Sequence, residues 1–413
     1  MYEVDSVMSK DIFTVRLLRS PNLQLLYSSS LMAVMGASLI YPILPVIRDS
    51  LHVPESQLGL VLSAFSLPTI FTAPLAGFLA DLKGRKVIMV ICLLMYGVAG
   101  LSISLVKDFN LLLLLRTIQG VGYGGIMPLV VIIIGDTYAK EQETRAQSMK
   151  VFMDRIGIIC FPPLAGFLGA VSWQAPFVLY GLSIPLALCI LRWLPESNAN
   201  RSSHLSLYFK EVFALVRRLR LLVIFSISSL RFFLERAFFI YLPIFALHAS
   251  GITVVKGSFL FTIYGVGALV TSSQIGDLAL RYDKVKLVIL AFFIQGLCLL
   301  ATPAASGIWW LSVVMFIFGL ANGIISPLHK SLLTQSAPGK LRGGVVSADR
   351  VLENSCQTVS PVVAGLILAL SNVETVFYTL GVISLIWVLA VLVLQLRGDL
   401  QAAQTESACR LKR

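Results

Sequence analysis

The sequence predicts an all-α membrane protein, with twelve transmembrane helices in two pseudo-symmetric six-helix bundles. Three observations carry this. Of 413 residues, 57% are apolar and only 13% charged, with a mean hydropathy of +0.86; soluble globular chains carry about 25% charge. Apolar runs recur at a regular beat, each near the ~20 residues that cross a bilayer. The runs are continuous rather than alternating, which favours helices over barrel strands. Finally, the chain repeats itself at a spacing of 199 residues: Gly77, Gly120, Gly124, Pro128, Pro162 and Gly166 recur as Gly276, Gly319, Gly323, Pro327, Pro361 and Gly365. Gly and Pro let membrane helices pack closely or bend, so this gapless recurrence implies two halves on one helical plan.

In order, the expected spans are about 23–47, 57–80, 87–106, 110–134, 146–170 and 175–194 in the first half. The second half gives 221–248, 258–280, 287–305, 309–333, 344–371 and 373–396. The domains that follow are 1–195, a cytoplasmic linker at 196–220, 221–400, and a polar tail at 401–413. The first span reads as a retained helix, because no short apolar stretch with a cleavage site precedes it. In the linker, Leu205, Tyr208, Val212, Phe213 and Val216 fall at helical intervals among Lys210, Arg217, Arg218 and Arg220. That pattern suits either a helix lying on the lipid surface or a plain linker.

A net charge of +12 could suggest nucleic acid, but its placement argues against that partner. With residue 1 in the cytoplasm, only Arg48, Lys107 and Lys256 fall in external loops. This positive-inside bias fixes both termini in the cytoplasm, and the basic surplus then meets anionic lipid. The six cysteines and four histidines (His52, His204, His248 and His329) form no CxxC pair and no metal-spaced set, so neither a disulfide framework nor a metal site is indicated. No P-loop pattern appears, which removes ATP hydrolysis as the energy source. Neither a cofactor nor an enzymatic activity is expected.

Between the second and third spans lies Gly77-Phe78-Leu79-Ala80-Asp81-Leu82-Lys83-Gly84-Arg85-Lys86. Gly77 is expected to let two helices touch, Asp81 to end a helix at the membrane face, and Gly84 to open a tight turn from which Arg85 reaches back to a carboxylate. Asp136 ends the fourth span on the same face. A cluster of Asp81, Arg85 and Asp136 would pin helix ends together in one conformation. The segment resembles the GxLADxxGRK signature of the major facilitator superfamily, with every specified position matched, Lys86 included. The resemblance implies two six-helix halves with a binding site between them and a conformational latch at this motif. The second half keeps only Gly276-Asp277-Leu278-Ala279, with Leu280 where Asp81 stands, so the latch is expected to be asymmetric.

The fourth span carries Arg116-Thr117-Ile118-Gln119-Gly120-Val121-Gly122, similar to the RxxQGxG pattern of the drug:proton antiporter branch. A guanidinium inside a span costs about 2.5–3.5 kcal/mol on insertion scales, so it must face protein or water. Arg116, Gln119, Tyr123 and Met127 share one helical face suited to a substrate-cavity wall; Arg116 could equally tie helices together by bonding carbonyls. The fifth span keeps Gly157, Pro162 and Gly166 of the branch's GxxxGPxxGG pattern but has Phe161 and Ala165 where glycines belong. The helix bend is expected to survive, because proline removes a backbone donor.

Away from the span ends stand nine ionisable residues: Arg116, Asp154, Arg155, Arg231, Glu235, Arg236, Asp349, Arg350 and Glu353. Unpaired at mid-bilayer they would cost on the order of 20–30 kcal/mol together, so they must pair or line a wet cavity. Arg231 and Glu235 are one turn apart on one face, as are Asp349 and Glu353, and Asp154 and Glu353 are repeat equivalents. A carboxylate that gains a proton when its cavity is dry and loses it when wet can couple transport to protons. Glu235 is the first candidate, then Asp154 and Glu353, then Asp349. Tyr41, Arg231, Asn322 and Gln357 join the expected cavity wall, since rings beside a few charges suit flat, lipophilic or cationic compounds.

The resemblance and the buried carboxylates together lead to a monomeric, proton-coupled exporter of small organic compounds in a prokaryotic inner membrane, working by alternating access. A second reading keeps the superfamily but makes the cargo an anionic metabolite, siderophore or lipid. A remote third is a membrane receptor that does not transport.

Overall fold

The computed structural model describes residues 20–138, 140–196, 219–304, 307–336 and 342–396. The tail at 401–413 and nearly all of the linker at 196–220 lie outside the described residues; only Glu196 and the pair Leu219–Arg220, which opens the next helix, are within them. Fourteen α-helices and no strand occur among the described residues. They are α1 (Pro21–Ser38), α2 (Leu44–Leu51), α3 (Gly59–Ser66), α4 (Thr69–Lys83), α5 (Arg85–Ser102), α6 (Phe109–Thr137) and α7 (Lys140–Val171). There follow α8 (Ser183–Trp193), α9 (Leu219–Ser250), α10 (Val254–Arg281), α11 (Lys284–Ala301), α12 (Ile308–Ser336), α13 (Arg342–Leu370) and α14 (Val373–Leu396).

Among the described residues, eleven helical stretches are long and apolar enough to cross a membrane. Outside that count stands α9, the seventh expected span, a continuous helix of 32 residues with Arg231, Glu235 and Arg236 at its middle. The chain is thus an all-helical, multi-pass membrane protein.

Two expected spans are broken, and proline explains both. The first divides at Tyr41–Ile43, a 3-10 turn, before α2 resumes; Pro42 and Pro45 have no N–H to give back to the preceding turn. The second divides at Leu67–Pro68, where the residue before proline is pushed out of the helical region. There the Ile70 amide is diverted to the Leu67 carbonyl, and the Thr69 hydroxyl donates to the Ser66 carbonyl in its place, at 2.6 Å. Pro128, Pro162, Pro243, Pro327 and Pro361 instead sit inside unbroken helices.

The described residues fall into two compact units, one within Met1–Ile40 and Ala64–Arg201, the other within Tyr41–Ser63 and Ser202–Arg413. The hairpin Tyr41–Ser63, which precedes most of the first half in sequence, packs in the second unit. Its Gly59 backbone lies so close to Pro361 that a Cβ there would stand 2.7 Å from the Pro361 carbonyl oxygen, and Ser63 donates to the Thr358 carbonyl at 2.8 Å.

The repeat is realised as equal packing. In the first unit α1 packs on α6 and α7, α4 on α6, and α5 on α6 and α8. In the second, α9 packs on α12 and α13, α10 on α12, and α11 on α12 and α14. The match extends to atoms. A Cβ on Gly120 would stand 2.1 Å from the Phe65 carbonyl oxygen, and one on Gly319 would stand 2.2 Å from that of Tyr264; Phe65 and Tyr264 are themselves 199 residues apart. Gly77 departs from expectation: a Cβ there meets nothing within 4 Å, nor does one on Gly276. These two glycines make no close helix contact, because α4 and α10 lie open at that level.

Candidate functional site

The turn between α4 and α5 is built around Gly84, whose φ of +97° is open to glycine without strain. Arg85 opens α5 and is nearly buried; it pairs with Asp136 at the end of α6 and with Asp81 at 3.4 Å. Glu196, not singled out from sequence, accepts the Lys86 backbone N–H at 3.2 Å. A carboxylate at a helix N-terminus is favoured by unsatisfied amides and the helix dipole. The cluster joins α4, α5, α6 and the chain after α8 through ion pairs and one backbone hydrogen bond.

Deeper in the first unit, Arg116 and Gln119 are fully buried. The Arg116 guanidinium donates to Gln119 Oε1 at 2.7 Å and to the Gly36 carbonyl at 3.0 Å, and lies over the Phe65 ring. Tyr180 donates to the Met35 carbonyl at 3.1 Å. Neither Arg116 nor Gln119 faces open space; they tie α6 to the last turn of α1. Tyr123, half-buried, packs its ring 4.8 Å from that of Phe65.

One turn further along α6, Met127 meets a second cluster. Asp154 accepts from Ser30 Oγ at 2.5 Å and from Lys150 Nζ at 2.8 Å, and the Met127 sulfur lies 3.7 Å from Ser30 Oγ and 3.8 Å from Lys150 Nζ. Lys150 and Asp154 are both mostly buried. Nearby on α7, a Cβ on Gly157 would meet Val34 of α1 at 3.1 Å, while Pro162 and Gly166 are buried further along the same helix.

The second unit holds a longer network. Glu235, 12% exposed, accepts from Asn322 Nδ2 at 2.9 Å and lies 3.6 Å from Arg231 NH1. Arg231 stands 4.0 Å from Glu353, which pairs with Arg350 at 2.9 Å. Asp349 accepts from Ser228 at 2.6 Å and lies 3.3 Å from His329 Nε2. Gln357 is half-buried one turn beyond Glu353. Tyr41 stacks on Phe261 with ring centroids 5.8 Å apart and accepts a hydrogen bond from Arg236.

Thus the structure gathers Glu235, Arg231, Asn322, Glu353 and Asp349 into one unit's interior, and Asp154 with Met127 into the other's. Sequence reasoning missed Lys150, Ser30, Ser228, His329 and Glu196. For Lys150 a signal existed, its i,i+4 spacing to Asp154. For His329 there was none, because its partners come from the next helix.

Two helical units on one repeated plan, each with ion pairs inside helices long enough for a bilayer, define a membrane transporter of the internally repeated kind. The chain belongs to the major facilitator superfamily: the Major Facilitator Superfamily profile matches residues 26–348 and 224–408. The Quinolone resistance protein NorA of Staphylococcus aureus (strain MRSA252) is 32% identical over 156 residues, covering 38% of this chain and 40% of that protein. The Bacillibactin exporter of Bacillus subtilis (strain 168) is 30% identical over 163 residues, with the same shares. The match thus spans about 40% of the length of these curated relatives. Among solved structures, the nucleoside transporter NupG aligns with a TM-score of 0.72 at 16% identity, over 90% of this chain and 98% of that one. A D-xylose-proton symporter aligns at 0.73 and 15%, over 91% and 97%. At such identities the likeness is one of fold. These relatives and neighbours are transporters, not enzymes.

Proposed function

We propose that this transporter is a proton-coupled exporter of small lipophilic organic compounds, working by alternating access as a monomer in a prokaryotic inner membrane with both termini cytoplasmic. The observation that carries the reading is the setting of Glu235: mostly buried, held by one neutral donor, Asn322, and by a guanidinium at 3.6 Å that is shared with Glu353. A proton on Glu235 removes its hold on Arg231, which is then free to close on Glu353. One protonation event thus redistributes a network that spans α9, α12 and α13. Asp154 and Asp349, each with its own short hydrogen bonds, orient the two interiors, and Glu353 receives the released guanidinium. Tyr123 and Met127 in the first unit, and Tyr41 and Gln357 in the second, each supply adaptable surface for substrate. Asp81, Arg85 and Asp136 act as the latch.

Likeness to the Quinolone resistance protein NorA supports an organic, partly apolar cargo. Likeness to the Bacillibactin exporter, with Arg231 and Arg236 inside the second unit, supports the alternative of an anionic cargo. Everted vesicles energised with a proton gradient test both, with ethidium as cationic probe and carboxyfluorescein as anionic probe. Wild-type vesicles should accumulate ethidium, and nigericin should stop it. Glu235→Gln should lose gradient-driven accumulation while keeping downhill exchange. Accumulation that survives collapse of the gradient rules out proton coupling, and uptake of carboxyfluorescein but not ethidium decides for the anionic reading.

A further inference from the structure

Each unit has an equivalent position one turn before its inner carboxylate. In the first unit it is Lys150, whose ammonium lies 2.8 Å from Asp154. In the second, the 199-residue register brings Asp349 to the place of Lys150 and Glu353 to that of Asp154. A fixed cation beside an acid becomes a second acid. Like-charged carboxylates at this spacing repel and call for positive charge between them.

Across from them, α12 presents His329, 1% exposed. Its Nε2 lies 3.3 Å from Asp349 Oδ1, yet it makes no hydrogen bond. One ligand atom from each of His329, Asp349 and Glu353 lies within 4.8 Å of the others, and all three residues are buried. A buried ring nitrogen aimed at a carboxylate without a hydrogen bond is unusual, and a cation held between the two would partner the nitrogen while Asp349 keeps its hydrogen bond from Ser228.

We propose that His329, Asp349 and Glu353 form a binding site for a divalent first-row transition-metal ion of the Zn²⁺ or Co²⁺ class. One imidazole and two carboxylates are the donor set such ions take, whereas Mg²⁺ and Ca²⁺ favour oxygen alone. Bonds of about 2.0–2.2 Å set tetrahedral ligand atoms roughly 3.4 Å apart, so the side chains close by on the order of 1 Å through rotation of the two acids. The ion's two charges neutralise Asp349 and Glu353.

The competitors are the guanidinium groups. The Arg350 side chain is 61% exposed and bonds Glu353 at 2.9 Å, so the metal displaces it outward. Arg231, at 4.0 Å from Glu353, keeps Glu235 at 3.6 Å as its partner. Occupancy would therefore bridge α12 to α13 and leave Arg231 to Glu235. Metal binding itself requires no proton coupling.

Untagged protein in dodecyl maltoside is titrated with Co²⁺, read by the visible spectrum of the bound ion and by equilibrium dialysis. One Co²⁺ per chain is expected, displaced by Zn²⁺. His329→Gln and Asp349→Asn should each weaken binding at least tenfold, and Arg350→Gln should tighten it severalfold by removing the competing charge. A gain of affinity cannot arise from misfolding. Glu235→Gln, which lets Arg231 close on Glu353, should weaken binding severalfold without abolishing it; binding is read at equilibrium with no gradient, so a failure of proton coupling and a failure of metal binding are read separately. Co²⁺ uptake by wild type no greater than by His329→Gln overturns the proposal, as does an Arg350→Gln protein that binds no more tightly than wild type.

Discussion

Replacing Lys150 alone by Met should destabilise the first unit more than replacing Lys150 and Asp154 together. The Lys150 Nζ to Asp154 Oδ2 distance is 2.8 Å, and the two side chains are 9% and 15% exposed. At an effective dielectric constant of about 20, such a contact gives roughly 6 kcal/mol of Coulomb attraction, most of it offset by the cost of taking both charges out of water. The pair therefore contributes little net stability against a neutral pair. Its rupture is a different matter: Lys150→Met leaves Asp154 with the Ser30 hydroxyl alone, and an orphaned buried charge costs about 3–5 kcal/mol. Partial exposure relieves some of this, so about 3 kcal/mol is expected. Asp154→Asn strands the ammonium beside the Met127 sulfur and should cost about 2–3 kcal/mol by the same logic. The double variant removes both charges, and the new amide oxygen can still accept from Ser30. Its cost should be about 1 kcal/mol, a coupling of several kcal/mol at or beyond the usual upper range for contacting pairs. Reversible unfolding by SDS in mixed micelles, followed by circular dichroism, measures all four proteins. Additivity within about 0.5 kcal/mol would mean the two side chains do not hold one another, and the reading of this cluster would fail.

Three further glycine substitutions probe the helix contacts by the same unfolding measurement. Gly120→Ala and Gly319→Ala each drive a Cβ into a backbone carbonyl that cannot rotate away, at 2.1 and 2.2 Å; each should cost about 1–3 kcal/mol, while Gly77→Ala, with nothing within 4 Å, should be neutral or gain up to about 1 kcal/mol from helix propensity. Arg116→Lys should cost about 1–3 kcal/mol despite keeping the charge, because an ammonium cannot reproduce the fork that holds both Gln119 Oε1 and the Gly36 carbonyl; equal stability of the wild type and this variant would show that charge alone suffices there.

Much of this molecule was legible before any coordinates. The apolar beat gave the helices because a bilayer admits few alternatives, and the glycine register gave the duplication because only glycine tolerates the approach seen at Gly120 and Gly319. The i,i+4 pairing of Arg231 with Glu235 is a property of one helix and could be read along it. What could not be read is what one helix offers another. Arg116 has a face suited to a cavity, but whether it meets water or the Gly36 carbonyl depends on the rotation of α6 against α1. The hairpin Tyr41–Ser63 belongs by sequence to the first half, yet its packing against Pro361 and Thr358 places it in the second unit. Gly77 matches a signature position perfectly and makes no close contact, because a motif specifies residue type without specifying the neighbour.

The repeat also separates what was kept from what was changed. Backbone contacts at Gly120 and Gly319 agree almost to the atom, so the packing plan has been retained. The charges have not. Gly36 of the first unit corresponds to Glu235 of the second, Tyr123 to Asn322, and Lys150 to Asp349. In the first unit the cations Arg116 and Lys150 make contacts of 2.7–3.0 Å to an amide, a carbonyl and an acid. Such contacts are short and direct. In the second unit Arg231 lies 3.6 and 4.0 Å from two acids that compete for it. A shared, longer pairing has alternatives close in energy, so one added proton or metal ion can shift it from one arrangement to the other. Two copies of one scaffold thus carry different charge arrangements, and the shared, longer pairing on which the proposed response rests is the one that contains Glu235.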